Sequence, residues 1–310
     1  MLEMYAAIWR VSGGRQIVLI ALSLAVAGLA AVPLKYQKDI VNELTRGALS
    51  APELYRLGAE MMAVILLSLA LKWLVSYRSG VLGEDIIRLL RQRVYARAVA
   101  WRREAGEEVP QGTLSTAVSA EAEELGKFTG GAFSDPVVQI GTLISVVGFI
   151  AATQPGLGAI ALAVIVPQVV VVLATQQKVN ALVARRVRIL RSATNHMISG
   201  SGETARGEID EEFDAIFDTR RRMFVWKLTT KFAISSFTAA GTVAVLMLGG
   251  WMVLEGRTDV GTVVAATIGL GRIQGPTAFL IAFYRQVSAN RIKFELLREV
   301  LQPDADPARR

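Results

Sequence analysis

Residues 176–231 read QQKVNALVARRVRILRSATNHMISGSGETARGEIDEEFDAIFDTRRRMFVWKLTTK, and the fold turns on them. These 56 residues are polar and rich in charge, and no apolar run among them is long enough to cross a bilayer. On one side stands Gly156–Thr175, twenty residues without a charge. On the other stands Phe232–Leu254, twenty-three residues without one. A hydrocarbon layer about 30 Å thick takes ~20 apolar helical residues, so both flanks read as membrane spans. Between them, Val183, Val187, Leu190 and Thr194 recur at helical spacing among Arg185, Arg186, Arg188 and Arg191. Phe213, Ile216, Phe217, Met223 and Trp226 carry a second apolar stripe. The pattern predicts two spans that continue as helices well past the membrane and join near Gly200–Asp210.

The bulk composition agrees. Hydrophobic residues make up 52% of the 310, and mean hydropathy is +0.41, both high for a soluble domain. Without cysteine the chain has no disulfide or thiolate chemistry, and its single His196 cannot form a histidine metal cluster. The net charge of +7 could point to nucleic acid, but the placement of the basic residues explains it better.

Four more spans are predicted. A short amphipathic lead-in with Tyr5, Ile8 and Trp9 ends at Gly13–Gly14 and suits the membrane interface. The uncharged run 17–34 follows it. A signal peptide competes for this stretch, but the run is long and its pattern continues to Leu44, which favours a retained helix. The second span is 57–77, the third 136–153 and the sixth 260–284, beside the fourth at 156–175 and the fifth at 232–254. Polar helical hairpins are expected over 78–131 and 176–231, with a helical break at Pro110–Gly112. Thr153–Gly156 and Glu255–Asp259 read as tight turns, the latter with Thr258 as a helix cap. Residues 302–310 form a tail.

Both long intervals then lie on one side with both termini. That side holds 27 Lys and Arg: two in the lead-in, eight in the first interval, eleven in the second and six from Arg285 on. The opposite face has Arg46, Arg56 and Arg257, with Lys35 and Lys38 at the boundary of the first span. Positive residues mark the cytoplasmic side. The reading is an all-α protein of the plasma (inner) membrane with both termini in the cytoplasm.

Six spans with short outer loops and two long cytoplasmic hairpins resemble the transmembrane domain of an ABC exporter. Several stretches carry the resemblance: Pro33–Leu44 (PLKYQKDIVNEL), Gly112-Thr113-Leu114-Ser115 with Glu121 beyond, Gly256–Ala265 (GRTDVGTVVA), Gly275–Pro276 and Asn290–Leu297 (NRIKFELL). It covers roughly residues 5–301. Where the family carries V-K-A-F or similar, this chain has Thr204-Ala205-Arg206-Gly207-Glu208. Such chains often continue into an ATPase domain, yet no G-x-x-x-x-G-K-[ST] phosphate loop occurs in residues 1–310. The resemblance therefore implies a separate ATP-binding subunit carrying ATP and Mg, with no cofactor bound by this chain. It also implies a second copy or a paired half-transporter, and no nucleic acid.

The hairpin tips are the expected docking points for that subunit: Glu107, Glu108, Gln111 and Gly112 on the first, and Arg206, Glu208, Ile209 and Asp210 on the second. The bland alternative is a solvated charge cluster. Arg272 falls near the middle of the sixth span, where a charge costs ~2.5–3.5 kcal/mol on insertion scales and must face protein or water. Arg272, Gln274 and Lys72 are the candidate substrate-cavity residues. Arg272 could instead only bond neighbouring carbonyls, and Lys72 could only snorkel. Glycines inside the spans, such as Gly141 and Gly148, are packing residues.

The function expected is the permease subunit of an ATP-driven exporter working by alternating access. Two competitors stay open: a transporter of the same fold driven by an ion gradient, which needs a titratable carboxylate in the membrane although Glu60 and Asp135 lie only near span ends, and a membrane scaffold that moves nothing. The chain could also be a piece of a longer protein.

Overall fold

A computed structural model of the chain describes residues 2–47, 49–105, 121–199 and 203–301. Among them every element is helical: α1 Leu2–Leu29, α2 Val32–Arg46, α3 Ala51–Ala105, α4 Ala122–Gly131, α5 Ser134–Thr153, α6 Pro155–Ser199, α7 Glu203–Leu254 and α8 Val260–Leu301.

Local chemistry sets the breaks. Pro33 has no N–H to give the carbonyl four residues back, so α1 stops at Leu29 and α2 starts afresh with the proline in its first turn. Gly47 ends α2 in the left-handed region at φ 68°, which glycine enters without a Cβ penalty. Ser50 and Glu53 form a capping box at α3. The Ser50 hydroxyl and backbone N–H both donate to Glu53 Oε2, at 2.7 and 3.1 Å. Gln154 alone separates α5 from α6, held extended by the proline after it.

The cap of α8 differs from expectation. Asp259, not Thr258, accepts the Thr262 N–H at 2.6 Å, and Asn42 of α2 accepts the Gly261 N–H at 2.7 Å. Burial works against the Asp259 charge, but hydrogen bonds from Thr262 and Asn42 prevail and hold its carboxyl below the usual range. The stability this adds is present above the ordinary carboxylate pKa of about 4 and is lost as pH falls through the lowered value.

The lead-in also differs. Gly13 and Gly14 do not end it, and α1 runs through them into the first span. Its inner face is glued down by Met4 and Ile8, both buried, and by edge-on packing of Tyr5 and Trp9 against Phe133.

Among the described residues five segments are long and apolar enough to cross a membrane: Leu2–Arg46, Ala51–Arg97, Ala122–Thr153, Pro155–Leu190 and Ile209–Leu254. Large apolar side chains such as Leu66, Trp73, Ile144, Val170 and Met247 lie exposed on them. So much exposed apolar surface suits lipid and would aggregate in water. The chain is an integral membrane protein. The expected sixth span lies in α8, which is helical throughout but is not among the five; Arg272 and Gln274 lower its hydropathy.

The long helices continue well past the uncharged runs. At 1.5 Å per residue the 55 residues of α3, the 45 of α6 and the 52 of α7 span roughly 80, 70 and 80 Å. Antiparallel α6 and α7 pair along their length, tied inside the membrane by Gln168, whose Nε2 donates to Thr238 Oγ1 at 2.9 Å. Helix α6 ends at Ser199 and α7 begins at Glu203, and Gly200–Gly202, where the expected junction begins, lie outside the described residues. The Pro110–Gly112 break lies outside the described residues.

Candidate functional site

The broken first span prepares a site. Because α1 stops before Pro33, the Leu34 N–H turns to Ala31 at 3.0 Å instead of to Ala30. The Ala30 carbonyl is left without its helical donor. Arg272 of α8 supplies one, its Nη1 reaching that oxygen at 3.3 Å. A break at membrane depth is tolerated where a neighbouring group takes up the freed carbonyl. The carbonyl-bonding alternative for Arg272 is thus realised, yet the side chain also faces open space.

That space is a cavity of about 620 Å³, walled by α1, α2, α3, α5 and α8, with Lys72, Asp135, Gln139, Arg272 and Phe279 in its lining. Its size suits a small organic molecule. The structure therefore brings Lys72 and Arg272 together. It separates Gln274 from them: two residues on, about 200° around the helix, Gln274 faces a second cavity between α6, α7 and α8. Asp135 was missed as a lining residue. It looked like a span-end carboxylate, but α4 runs into α5 through only Ala132 and Phe133, which places it on the wall of the first cavity.

Near the N-terminus of α1 and the C-terminus of α8 four ion pairs link four helices in a ring. Arg15 pairs with Asp85 at 2.6 Å, Arg91 with Glu123 at 3.4 Å, Lys293 with Glu124, and Arg298 with Glu3 at 2.9 Å. They join α1 to α3, α3 to α4, α4 to α8, and α8 back to α1. Most are exposed, so solvent screens them and each adds little stability. The stronger lock is close contact between α3 and α4, where Ile87 and Gly83 crowd Gly126, and Ser79 and Gly83 crowd Gly130, so that no Cβ fits on either. The α6–α7 arm is outside this ring, so it can shift relative to the other four helices without breaking any of these pairs.

Of the expected docking residues, Glu107, Glu108, Gln111 and Gly112 lie outside the described residues. Arg206, Glu208, Ile209 and Asp210 fall on the first two turns of α7, with Asp210 exposed and Ile209 half-buried. Among the described residues no group of three or more His, Asp or Glu could hold a metal ion.

Residues 16–199, more than half of the chain, match the family model for the ABC transporter transmembrane region. No curated protein matches the chain.

Proposed function

The chain belongs to the ABC transporter transmembrane family, and from that premise we propose that it is the permease subunit of an ATP-driven exporter whose ATP is hydrolysed on a separate subunit. The observation that carries this reading is the pair of long helical arms at one end of a bundle whose spans enclose the Lys72–Arg272 cavity. A soluble engine can move a membrane site only through something stiff, and α3 with α4 and α6 with α7 are stiff. The tips at Glu107–Gly112 and Arg206–Asp210 are the docking points, with ATP and Mg held by the partner. Two copies, or this chain with a paired half-transporter, enclose the pathway. The cavity opens inward and then outward, and α8 is the sixth span. The 27 basic residues on the arm side support a reading with arms and termini on the cytoplasmic face of the inner membrane.

Cysteines introduced one at a time test this arrangement. In intact cells Ser50→Cys and Gly256→Cys should react with a membrane-impermeant thiol reagent, and Ser201→Cys should react only after permeabilisation. Labelling of Ser201→Cys from outside would put the arms where no cytoplasmic ATPase can reach them.

Asp135 favours one second reading. A carboxylate on the cavity wall is what a proton-driven transporter of the same fold would need, so an ion gradient is the competing engine.

A further inference from the structure

Gln274 points to a site of its own. The second cavity, about 430 Å³, lies between α6, α7 and α8. Lys227, Lys231 and Arg285 line it, and no carboxylate does. Hydroxyl and amide groups of Thr175, Gln176, Thr230, Ser235 and Gln274 fill in between the charges, while Val172, Val179, Ile234 and Ile281 give it an apolar side. Lys227, Lys231 and Ser235 are spaced four apart, so one face of α7 presents all three.

These cations stand where the uncharged runs end, Lys231 just before Phe232 and Arg285 just after Tyr284. Residues that only orient a chain in the membrane need to lie near headgroups and nothing more. Three that converge on a cavity between helices, among polar groups and over an apolar wall, make a surface complementary to one kind of molecule. That molecule has an anionic head and an apolar body. The first cavity has the same bias, with Lys72 and Arg272 against the single carboxylate Asp135. Both cavities use α8, Arg272 facing one and Gln274 the other, so a rotation of α8 would carry a ligand's polar partners from one to the other.

We propose that the α6–α7–α8 cavity is the loading site for an anionic amphiphile, the substrate class of the transporter. The substrate part rests on the permease reading above, and the binding part does not. The anion's oxygens take charge-assisted hydrogen bonds from Lys227, Lys231 and Arg285, and the body lies along Val172, Val179 and Ile234.

The test uses three fluorescent probes with one medium-chain tail and a carboxylate, primary amide or amine head. Each is titrated against the purified protein in phosphatidylcholine nanodiscs. The carboxylate should bind saturably and at least about tenfold tighter than the amide or the amine, since only it offers the three cations a charged hydrogen-bond acceptor. The triple variant Lys227→Gln, Lys231→Gln, Arg285→Gln should bring the carboxylate down to the amide's affinity. Lys227→Arg with Lys231→Arg should keep the preference. Photo-crosslinking of a diazirine-bearing carboxylate probe to wild-type protein should mark 227–235 and 274–285, and this needs no variant to fold. Equal binding of the three probes, a carboxylate preference that survives the triple substitution, or crosslinks elsewhere overturns the proposal. Selective binding without ATP-driven flux would leave the site standing and remove the transporter reading instead.

Discussion

Gly130→Val protein is expected to give at most about a tenth of the wild-type monodisperse peak in fluorescence-detected size-exclusion chromatography. A Cβ at Gly130 would sit against the Ser79 carbonyl and 3.2 Å from the Gly83 nitrogen. Both neighbours are backbone in the middle of α3, so neither can swing aside as a side chain would. Gly126 is as tightly placed, 3.0 Å from the Gly83 carbonyl oxygen and the Ile87 nitrogen. Valine at 130 must push α4 off α3, undoing the packing of Leu125 and Phe128 against Met4, Ile8 and Val94. Overpacking of this kind costs about 3 kcal/mol or more, roughly a hundredfold in the folded-to-unfolded ratio. Gly58→Ala is the control, because nothing lies within 4 Å of a Cβ there. A wild-type profile for Gly130→Val would mean that α3 and α4 are not in backbone contact.

The second large effect is on transport. Arg272→Leu removes a charge from mid-span, which relieves ~2.5–3.5 kcal/mol on insertion scales. It also leaves the Ala30 carbonyl without a donor, at a cost of ~1–3 kcal/mol. The two nearly cancel, so yield and thermal midpoint should stay close to wild type. Flux of an anionic substrate should fall at least about tenfold, since the cavity keeps only Lys72 against Asp135. Arg272→Lys should recover part of the flux, because it restores the charge without the planar fork that bonds Ala30. Arg272→Leu protein that aggregates would show that the guanidinium serves the α1–α2 break alone. Normal folding with normal flux would take the cavity out of the pathway.

Much of this was legible in the residues. Charge-free runs of about twenty residues are a strong signal because lipid tolerates few exceptions, and the helical stripe in 176–231 matches helices α6 and α7 running past the uncharged runs. Family membership now stands on the match over 16–199. What the sequence hid depends on rotation and register. Arg272 and Gln274 are neighbours in the chain and look like one site, but helix geometry turns them into different cavities. Asp135 looked peripheral, since periodicity does not say which wall a residue at a helix start will join. The role of Gly130 appears only once Ser79 and Gly83, far off in sequence, are seen across from it. The Asp259 cap was one residue away from the expected Thr258, and Asn42 of α2 completes it.

The engine is the central claim, and one measurement bears on it most directly. The native protein, extracted in mild detergent from its own cells, is purified and reconstituted into liposomes with whatever soluble subunit accompanies it. The account predicts a copurifying ATPase and substrate movement that needs ATP but no ion gradient. It also predicts that Glu208→Arg with Asp210→Arg, at the second arm's tip, releases the ATPase and stops the movement while the membrane domain stays monodisperse. Movement driven by a proton gradient, with no ATPase bound and no response to ATP, would contradict it and make Asp135 the group to follow.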